Sequence, residues 1–447
     1  FLNKKLNFHF IVNRISKTVS NGLPKLSKEN ALQWAQQFDE IIFLESNKDT
    51  QAEQEKYGEI EAILAIGAHD TLSADSKGAF DKLKQFRQKH KDFLFGYLSY
   101  DLKNDTEELT SKNPDHLDFP EIYFFQLQKV LLWKNDTVEF LDLQGYEDEI
   151  EKDVSGISQV KIVLDTSSKN CKISSRLSKN DYVDKVTNVL HHIHRGDIYE
   201  VNYCQEFYAE ACEINTIAVY QKLNKISQAP FASYVKLKDQ FLLCASPERF
   251  VKKQNNKIIV QPIKGTARRF KDKKADKKLA ESLVNDPKER AENIMIVDLI
   301  RNDLSKNATK GSVHVEELCK VYSFKQVHQL ISTVVCTVDK DDNDVEIIKN
   351  LFPMGSMTGA PKISAMEIIE EEELTKRGLY SGAVGYFSPE GNFDFNVVIR
   401  SILYNASKKY ASFSVGSAIT SLSVIENEYE ECLLKAKALK QALTARS

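Results

Sequence analysis

Short apolar runs separated by polar loops fill the first third of the chain: IIFLES at 41–46, AILAIGA at 62–68, FLFGYLSY at 93–100, IYFFQLQKVLLW at 122–133 and VEFLDL at 138–143. Runs of this length bounded by turn-forming residues predict strands, with a few helices between them. Residues 165–180, DTSSKNCKISSRLSKN, are polar and suit a connection rather than a core element. They divide the chain into a sheet-rich N-terminal subdomain, 1–165, and a second domain, 178–447. In that second domain, helical periodicity at 181–194, 278–285, 290–302, 362–373 and 428–443 mixes with β-rich runs such as FASYVKL, QFLLCAS, KIIVQPI and FSVGSAIT. The order is that of an α+β fold. No internal repeat supports a solenoid or propeller.

Composition narrows the function classes. Sixty-one Lys+Arg against 64 Asp+Glu give a formal charge of -3 over 447 residues, too little positive field to hold a polyanion, so no nucleic-acid partner is expected. The apolar runs are of strand length, which predicts no membrane span. Residues Phe1 to Arg14 interleave Lys4, Lys5, Asn7, His9 and Asn13 with apolar positions, which breaks a signal-peptide core and predicts no export. Seven scattered cysteines without a C-x-x-C pair indicate neither a disulfide framework nor a zinc site. A reducing cytoplasm is the expected compartment.

Several residues sit where packing alone does not place them. Glu292 precedes Met295, Ile296 and Leu299 by one and two helical turns, so its carboxylate lies on an apolar stripe and needs a partner, either a basic side chain or a bound ion. Glu428 and Glu431 share the first turn of the last helix, where the macrodipole alone favours acids. With Glu292 they offer the oxygen ligands of a Mg2+ ion that keeps its waters and an anionic substrate. Lys264 closes the strand KIIVQPI ahead of Gly265, a place for either a surface lysine or a desolvated nucleophile. Glu248 in SPERF follows the apolar run FLLCA and has the same ambiguity as a carboxyl of raised pKa.

The string GSMTGAP at 355–361 runs into a helix, with Pro361 at its first position and Thr358 as a cap. It lacks P-loop spacing and points to a carboxylate rather than a polyphosphate, or simply to a capped helix. His191, His192 and His194 offer no third ligand on one face and read as structural. The charged run 267–278 reads as a solvated loop and Glu370 to Glu373 as a helix end.

Taken in order, GDIYEVN, SPERF, PIKGT, ERAENIMIVDLIRNDL, FPMGSMTGAPK, YSGAVGY, VIRS and NEYEECLLKAKAL resemble the chorismate-utilising enzymes, the family of anthranilate, aminodeoxychorismate, isochorismate and salicylate synthases. The likeness runs from about residue 180 to 445. FGYLSYDL and FLES extend it more loosely into the first half. It implies a large chorismate-binding fold with two stacked antiparallel sheets flanked by helices.

Within the family, lysine at 264 in PIKGT is similar to the aminodeoxychorismate branch, because anthranilate synthases typically carry alanine there. The implied reaction replaces the C4 hydroxyl of chorismate by ammonia and keeps the enolpyruvyl group. The resemblance makes Lys264 the covalent nucleophile at C2 and Glu248 the acid that protonates the departing hydroxyl. It assigns Glu292, Glu428 and Glu431 to Mg2+, and Gly265 and Thr266 to the ring carboxylate. Tyr380, Arg400, the Gly416, Ser417 and Ala418 backbone and Lys435 would hold the enolpyruvyl carboxylate. The synthase occupies the 447 residues, so a separate glutamine amidotransferase subunit is the expected source of ammonia.

The chain departs from the family pattern at several points. Gly416-Ser417-Ala418-Ile419 adds side chains to a string that is usually richer in glycine. Gln329 stands where anthranilate synthases place histidine, and His328, one position earlier, points differently. Glu200 in GDIYEVN replaces a commoner glutamine. FLES is similar to the tryptophan-binding region of the family, but residues 51–62 do not continue its pattern, so no tryptophan site is expected.

Overall fold

The structure, a computed structural model, describes residues 14–20, 26–47, 57–58, 60–134, 137–146, 149–161, 168–169, 171–324, 327–340 and 342–444. Residues 1–13, which carry the signal-peptide argument, and most of the connection at 162–170 lie outside the described residues. The strands are β1 (Arg14–Ser20), β2 (Glu40–Glu45), β3 (Ala62–Ala74), β4 (Leu94–Leu98), β5 (Ile122–Lys134), β6 (Thr137–Leu143), β7 (Ser174–Ser175), β8 (Glu200–Ala209), β9 (Phe231–Leu237), β10 (Gln240–Ser246), β11 (Arg249–Gln254), β12 (Lys257–Gln261), β13 (Ile263–Arg268), β14 (His314–Ser323), β15 (Val327–Thr337), β16 (Gly359–Ala360), β17 (Ala383–Phe387), β18 (Phe393–Val397), β19 (Ser401–Asn405) and β20 (Tyr410–Thr420). The helices are α1 (Lys28–Ala35), α2 (Ala79–Lys89), α3 (Lys103–Thr106), α4 (Ile150–Gln159), α5 (Lys179–Arg195), α6 (Thr216–Ser227), α7 (Lys273–Asn285), α8 (Pro287–Ser305), α9 (Asp344–Leu351), α10 (Lys362–Glu372) and α11 (Ile425–Leu443).

Every described strand pairing is antiparallel, and β5 joins two arms. One arm runs β5-β4-β17-β18-β11-β12-β15, with β13 and β14 both on β15. The other runs β5-β3-β2-β9-β10-β19-β20-β8, ending on β16. Strands from the two halves of the sequence therefore alternate within each arm: β2 pairs with β9, and β4 with β17.

Period-two alternation explains why the second arm is buried on both faces. Ile42, Val235 and Leu242 pack with Tyr97, Val251, Ile258 and Phe395 of the first arm, forming the core between the arms. Their chain neighbours Ile41, Phe43, Tyr234 and Leu243 turn to the other face and meet Leu32, Val186, Leu223, Ile369 and Ala436 of the helices. Each large side chain so buried contributes about 1.5 to 3 kcal/mol. The two stacked layers flanked by helices match the expected α+β architecture.

Helix boundaries follow local chemistry. Ser178 and Asp181 form a reciprocal capping box at the start of α5, and Gly196 ends it at φ 90°. Tyr182, Val186, Val189 and Ile193 give that helix its buried stripe. Asp286 caps α8 by accepting from the Lys288 and Glu289 amides, with Pro287 in the first turn.

Four expectations change. Cys171 and Cys212 form a disulfide, although cysteine spacing indicated none. The isolated bridge between Lys169 and Glu213 brings the connection beside the end of β8, a pairing that a separation of 41 residues does not announce. Thr358 does not cap α10: its hydroxyl bonds back to the Met354 and Gly355 carbonyls, and Pro361 takes the cap position. In the charged run, Asp276 is buried within α7, where it meets Arg269 and His328. Glu372 and Glu373 end α10 as expected but are buried, Glu373 against Arg377 and the Cys204 amide.

Candidate active site

β13 places Lys264 by breaking its own ladder. Ile263 pairs with Ile331 and Thr266 with Gln329, so Lys264 and Gly265 together oppose the single residue Leu330. The result is a β-bulge, a device that re-aims a side chain out of a sheet. Gly265 makes it possible at φ 86°, where a Cβ would also approach Glu289 Oε2 to 3.0 Å. Lys264 then donates from Nζ to Glu200 Oε1 at 2.6 Å, with Glu200 buried and Lys264 nearly so. Burial opposes the ammonium, but Glu200, Glu292 and Glu248 outweigh it and raise the lysine pKa.

Glu248 lies in the turn between β10 and β11. Ser246 pins that turn by exchanging hydrogen bonds with the Glu248 backbone, accepting from its amide and donating to its carbonyl. The carboxyl is buried and accepts the Ser356 hydroxyl at 2.7 Å. Burial pushes its pKa up to about 7, against the Ser356 hydrogen bond and the Lys264 charge. A carboxyl so tuned carries its proton near neutral pH and can give it up there.

Glu292 projects from α8 into the same region, and burial pushes it up to about 7 despite Lys264. Its Oε1 has no hydrogen-bond partner among the described residues. Lys288, one turn earlier, stands 3.9 Å from Glu292 and 3.3 Å from Glu428, which is buried in α11. Glu431 pairs with Lys435 at 2.6 Å. Burial pushes Glu431 up, but the charges of Lys435, Lys288 and Lys264 hold it below the ordinary value. Among the described residues, no three acidic, histidine or cysteine side chains gather as a ready metal cluster. Carboxylate oxygens are the hard ligands that Mg2+ takes, and the Glu292 oxygen that lacks a hydrogen bond faces the Lys288 ammonium at 3.9 Å.

Arg400 follows β18 at φ 52°, in the left-handed region. Its guanidinium faces Tyr380, Glu431 and Cys432, and burial lowers its pKa. Tyr380 is buried and accepts a weak bond from Cys204 Sγ. Gly416, Ser417 and Ala418 pair with Cys204, Tyr203 and Asn202 of β8. From Phe413 onward no described strand lies on the other edge of β20. Lys435 reaches that edge and donates to the Gly416 carbonyl at 2.7 Å. A Cβ at Gly416 would lie 2.4 Å from Asn202 Oδ1, so the position admits no side chain.

The structure thus brings Lys264, Gly265, Glu248 and Glu292 together, and sets Glu428, Glu431 and Lys435 along one face of α11 beside them. Thr266 is exposed next to the bulge. Sequence inspection missed Ser356, Lys288 and Glu289. The last two had a readable signal: in PKERAEN they stand three and four positions before Glu292, on its side of the helix. His328 points away from Gln329 as expected and bonds Ser323 and Asp276. His192 bonds Asp197, in keeping with a structural histidine. Leu44, Glu45 and Ser46 of FLES line a different cleft with Pro230, Phe231, Arg249 and Asp394.

The sequence matches the chorismate binding enzyme family over residues 29–441. The chain belongs to this family. It is 42% identical over 264 residues to a probable chloroplastic aminodeoxychorismate synthase of Oryza sativa subsp. japonica, covering 58% of this chain and 29% of the relative. It is 39% identical over 269 residues to aminodeoxychorismate synthase component 1 of Salmonella typhimurium, covering 60% and 59%. The aligned stretch is therefore less than two thirds of either relative. Anthranilate synthase component 1 of Aquifex aeolicus is 32% identical over 369 residues, covering 78% and 74%. Among solved structures, anthranilate synthase component I from Streptococcus pneumoniae superposes with a TM-score of 0.75 at 25% identity, covering 87% of this chain and 94% of that one. No described helix is long and apolar enough to cross a membrane.

Proposed function

We propose that the chain catalyses amination of chorismate to 4-amino-4-deoxychorismate. The observation that carries this reading is the nearly buried Lys264 on its bulge, beside Glu248 with a pKa of about 7. The relatives named aminodeoxychorismate synthase support the same branch.

In this mechanism the neutral Lys264 amine attacks C2 of the ring. The two conjugated ring double bonds shift toward C4, the C4–O bond breaks, and the leaving oxygen takes the Glu248 proton, so water departs. Ammonia then adds at C4 and returns a proton to Glu248, both double bonds shift back, and the C2–N bond breaks to release the Lys264 amine. A positioned acid of this kind supplies roughly 10²- to 10⁴-fold in rate. Arg400, Tyr380 and Lys435 hold the enolpyruvyl carboxylate, Arg400 by paired hydrogen bonds, while Gly265 and Thr266 line the ring carboxylate.

Glu292, Glu428 and Glu431 would hold Mg2+, with substrate and water oxygens completing its shell. When bound, that ion neutralises carboxylate charge on the substrate. The ammonia source is a glutamine amidotransferase subunit.

Mass analysis of the product from chorismate, Mg2+ and an ammonium salt tests the reading, beside a sample without ammonium. An aminated product that retains the enolpyruvyl group supports it. Anthranilate with released pyruvate, or an isomer formed without ammonium, overturns it. If ammonium alone gives no product, adding the glutaminase subunit with glutamine decides between a missing partner and a silent chain.

A further inference from the structure

Glu200 is the family departure for which the sequence offered no role, and it is the one side chain that hydrogen-bonds Lys264 Nζ among the described residues. It opens β8, where it is paired on one side with Ala360 of β16 and on the other with Thr420 of β20. Its backbone is thereby fixed from both edges, whereas Lys264 hangs from a bulge whose ladder is broken. The carboxylate is 2% exposed, and its second oxygen, Oε2, is buried without any hydrogen-bond partner. A carboxylate committed by only one oxygen, in so dry a place, is tolerated because a full positive charge lies against it.

We propose that Glu200 is a positioning residue that pins Lys264 Nζ in the site and holds it as an ammonium until catalysis requires the amine. An ammonium has no lone pair to attack an electrophile, so the pair keeps the lysine unreactive while the site is empty. A glutamine at 200 would keep the shape and an oxygen for Nζ but remove the charge that retains the proton.

Other groups face the lysine. Glu248 approaches from the turn after β10, Glu289 and Glu292 from α8, and Glu431 from α11. Lys288 stands among the acids of α8 and α11 as the opposing cation. Glu200 is set apart from these by direct contact, since its oxygen alone lies at hydrogen-bonding distance.

The effect on catalysis rests on Lys264 being the nucleophile, but the ion pair does not, so the test reads the lysine itself. The pH at which Lys264 begins to react is measured by trace labelling with acetic anhydride, located by peptide mass analysis, in the parent and in Glu200→Gln. Loss of the contacting anion is expected to lower that pH by about 1 to 3 units. Lys362, buried and paired with Asp303 at 2.5 Å, is the internal control and should not move. Glu200→Ser serves if the amide variant fails a thermal melt, with the same direction expected. An unchanged onset, an onset at higher pH, or an equal shift at Lys362 would overturn the proposal.

The alkaline limb of kcat/KM for amination should fall with the labelling onset. If the labelling shifts while neither protein aminates chorismate even with the glutaminase subunit and glutamine, Glu200 holds the lysine as proposed and the reaction assigned to the site is wrong.

Discussion

Ser356 donates its hydroxyl to Glu248 Oε1 at 2.7 Å across a sequence separation of 108 residues. The bond fixes the carboxyl rotamer and, because it is stronger to the anion, pulls against the burial that raises the Glu248 pKa. The string GSMTGAP therefore contributes a hold on the Glu248 carboxyl as well as a helix start.

Its removal has a direction that can be worked out. The proposed reaction would need Glu248 protonated and Lys264 neutral, although Glu248 is pushed to about 7 and Lys264 lies above its ordinary value. Between two such pKa values the correctly protonated fraction is flat. It falls below the lower and above the higher, so the acid limb of kcat/KM sits at the Glu248 value. Ser356→Ala raises that value, and the acid limb of the amination profile should move to higher pH. An acid limb that stays in place would show that Ser356 does not act on Glu248.

Lys264→Ala should lose amination while still folding, with a lowered thermal transition because the buried Glu200 carboxylate loses its charge partner. Glu248→Gln keeps the Ser356 contact but carries no acidic proton, and its kcat should fall by roughly 10²- to 10⁴-fold. Steady-state assays with ammonium beside a thermal melt check both. Parent-like turnover in Lys264→Ala would remove the nucleophile assignment.

Glu431→Gln and Glu292→Gln should each weaken the response to Mg2+. Direct titration with Mg2+ by calorimetry, without turnover, reads the effect as a higher Kd. Binding equal to the parent in both variants would dissociate these acids from the ion.

Arg14 and Asp92 form a buried two-pronged pair at 2.6 and 2.8 Å, and Arg14 also donates to the Leu127 and Leu141 carbonyls. Asp92→Ala leaves a guanidinium buried without its charge partner, which costs about 3 to 5 kcal/mol. Denaturant unfolding should show that loss, and the double variant Arg14→Met/Asp92→Leu should lose less.

Much of the second half of the chain was legible because its signals are local. The helix expected at 181–194 is Lys179–Arg195, and the one expected at 428–443 is Ile425–Leu443. Both carry an apolar stripe, and α5 adds a capping box that lies within a few residues. The expectations that changed depend on partners far away in sequence. Asp276 is buried because His328 arrives from β15, and Cys171 meets Cys212 because a single bridge aligns them. Glu200 looked anomalous for the same reason: its partner, Lys264, lies 64 residues away on a different strand. The position of Lys264 before Gly265 left it open between a surface lysine and a nucleophile, because the bulge that re-aims it depends on register with β15.

The pairing of β8 with β20 joins Glu200 to Thr420, and α11 follows directly with Glu428, Glu431 and Lys435. Neither end of the site exists without the other. A nascent chain emerging from the ribosome would already contain Lys264, Glu248 and Glu292, yet it would lack β20 and α11. Such long-range closures are slow to form. The proposed site would therefore stay open until β20 had paired with β8 and α11 had docked.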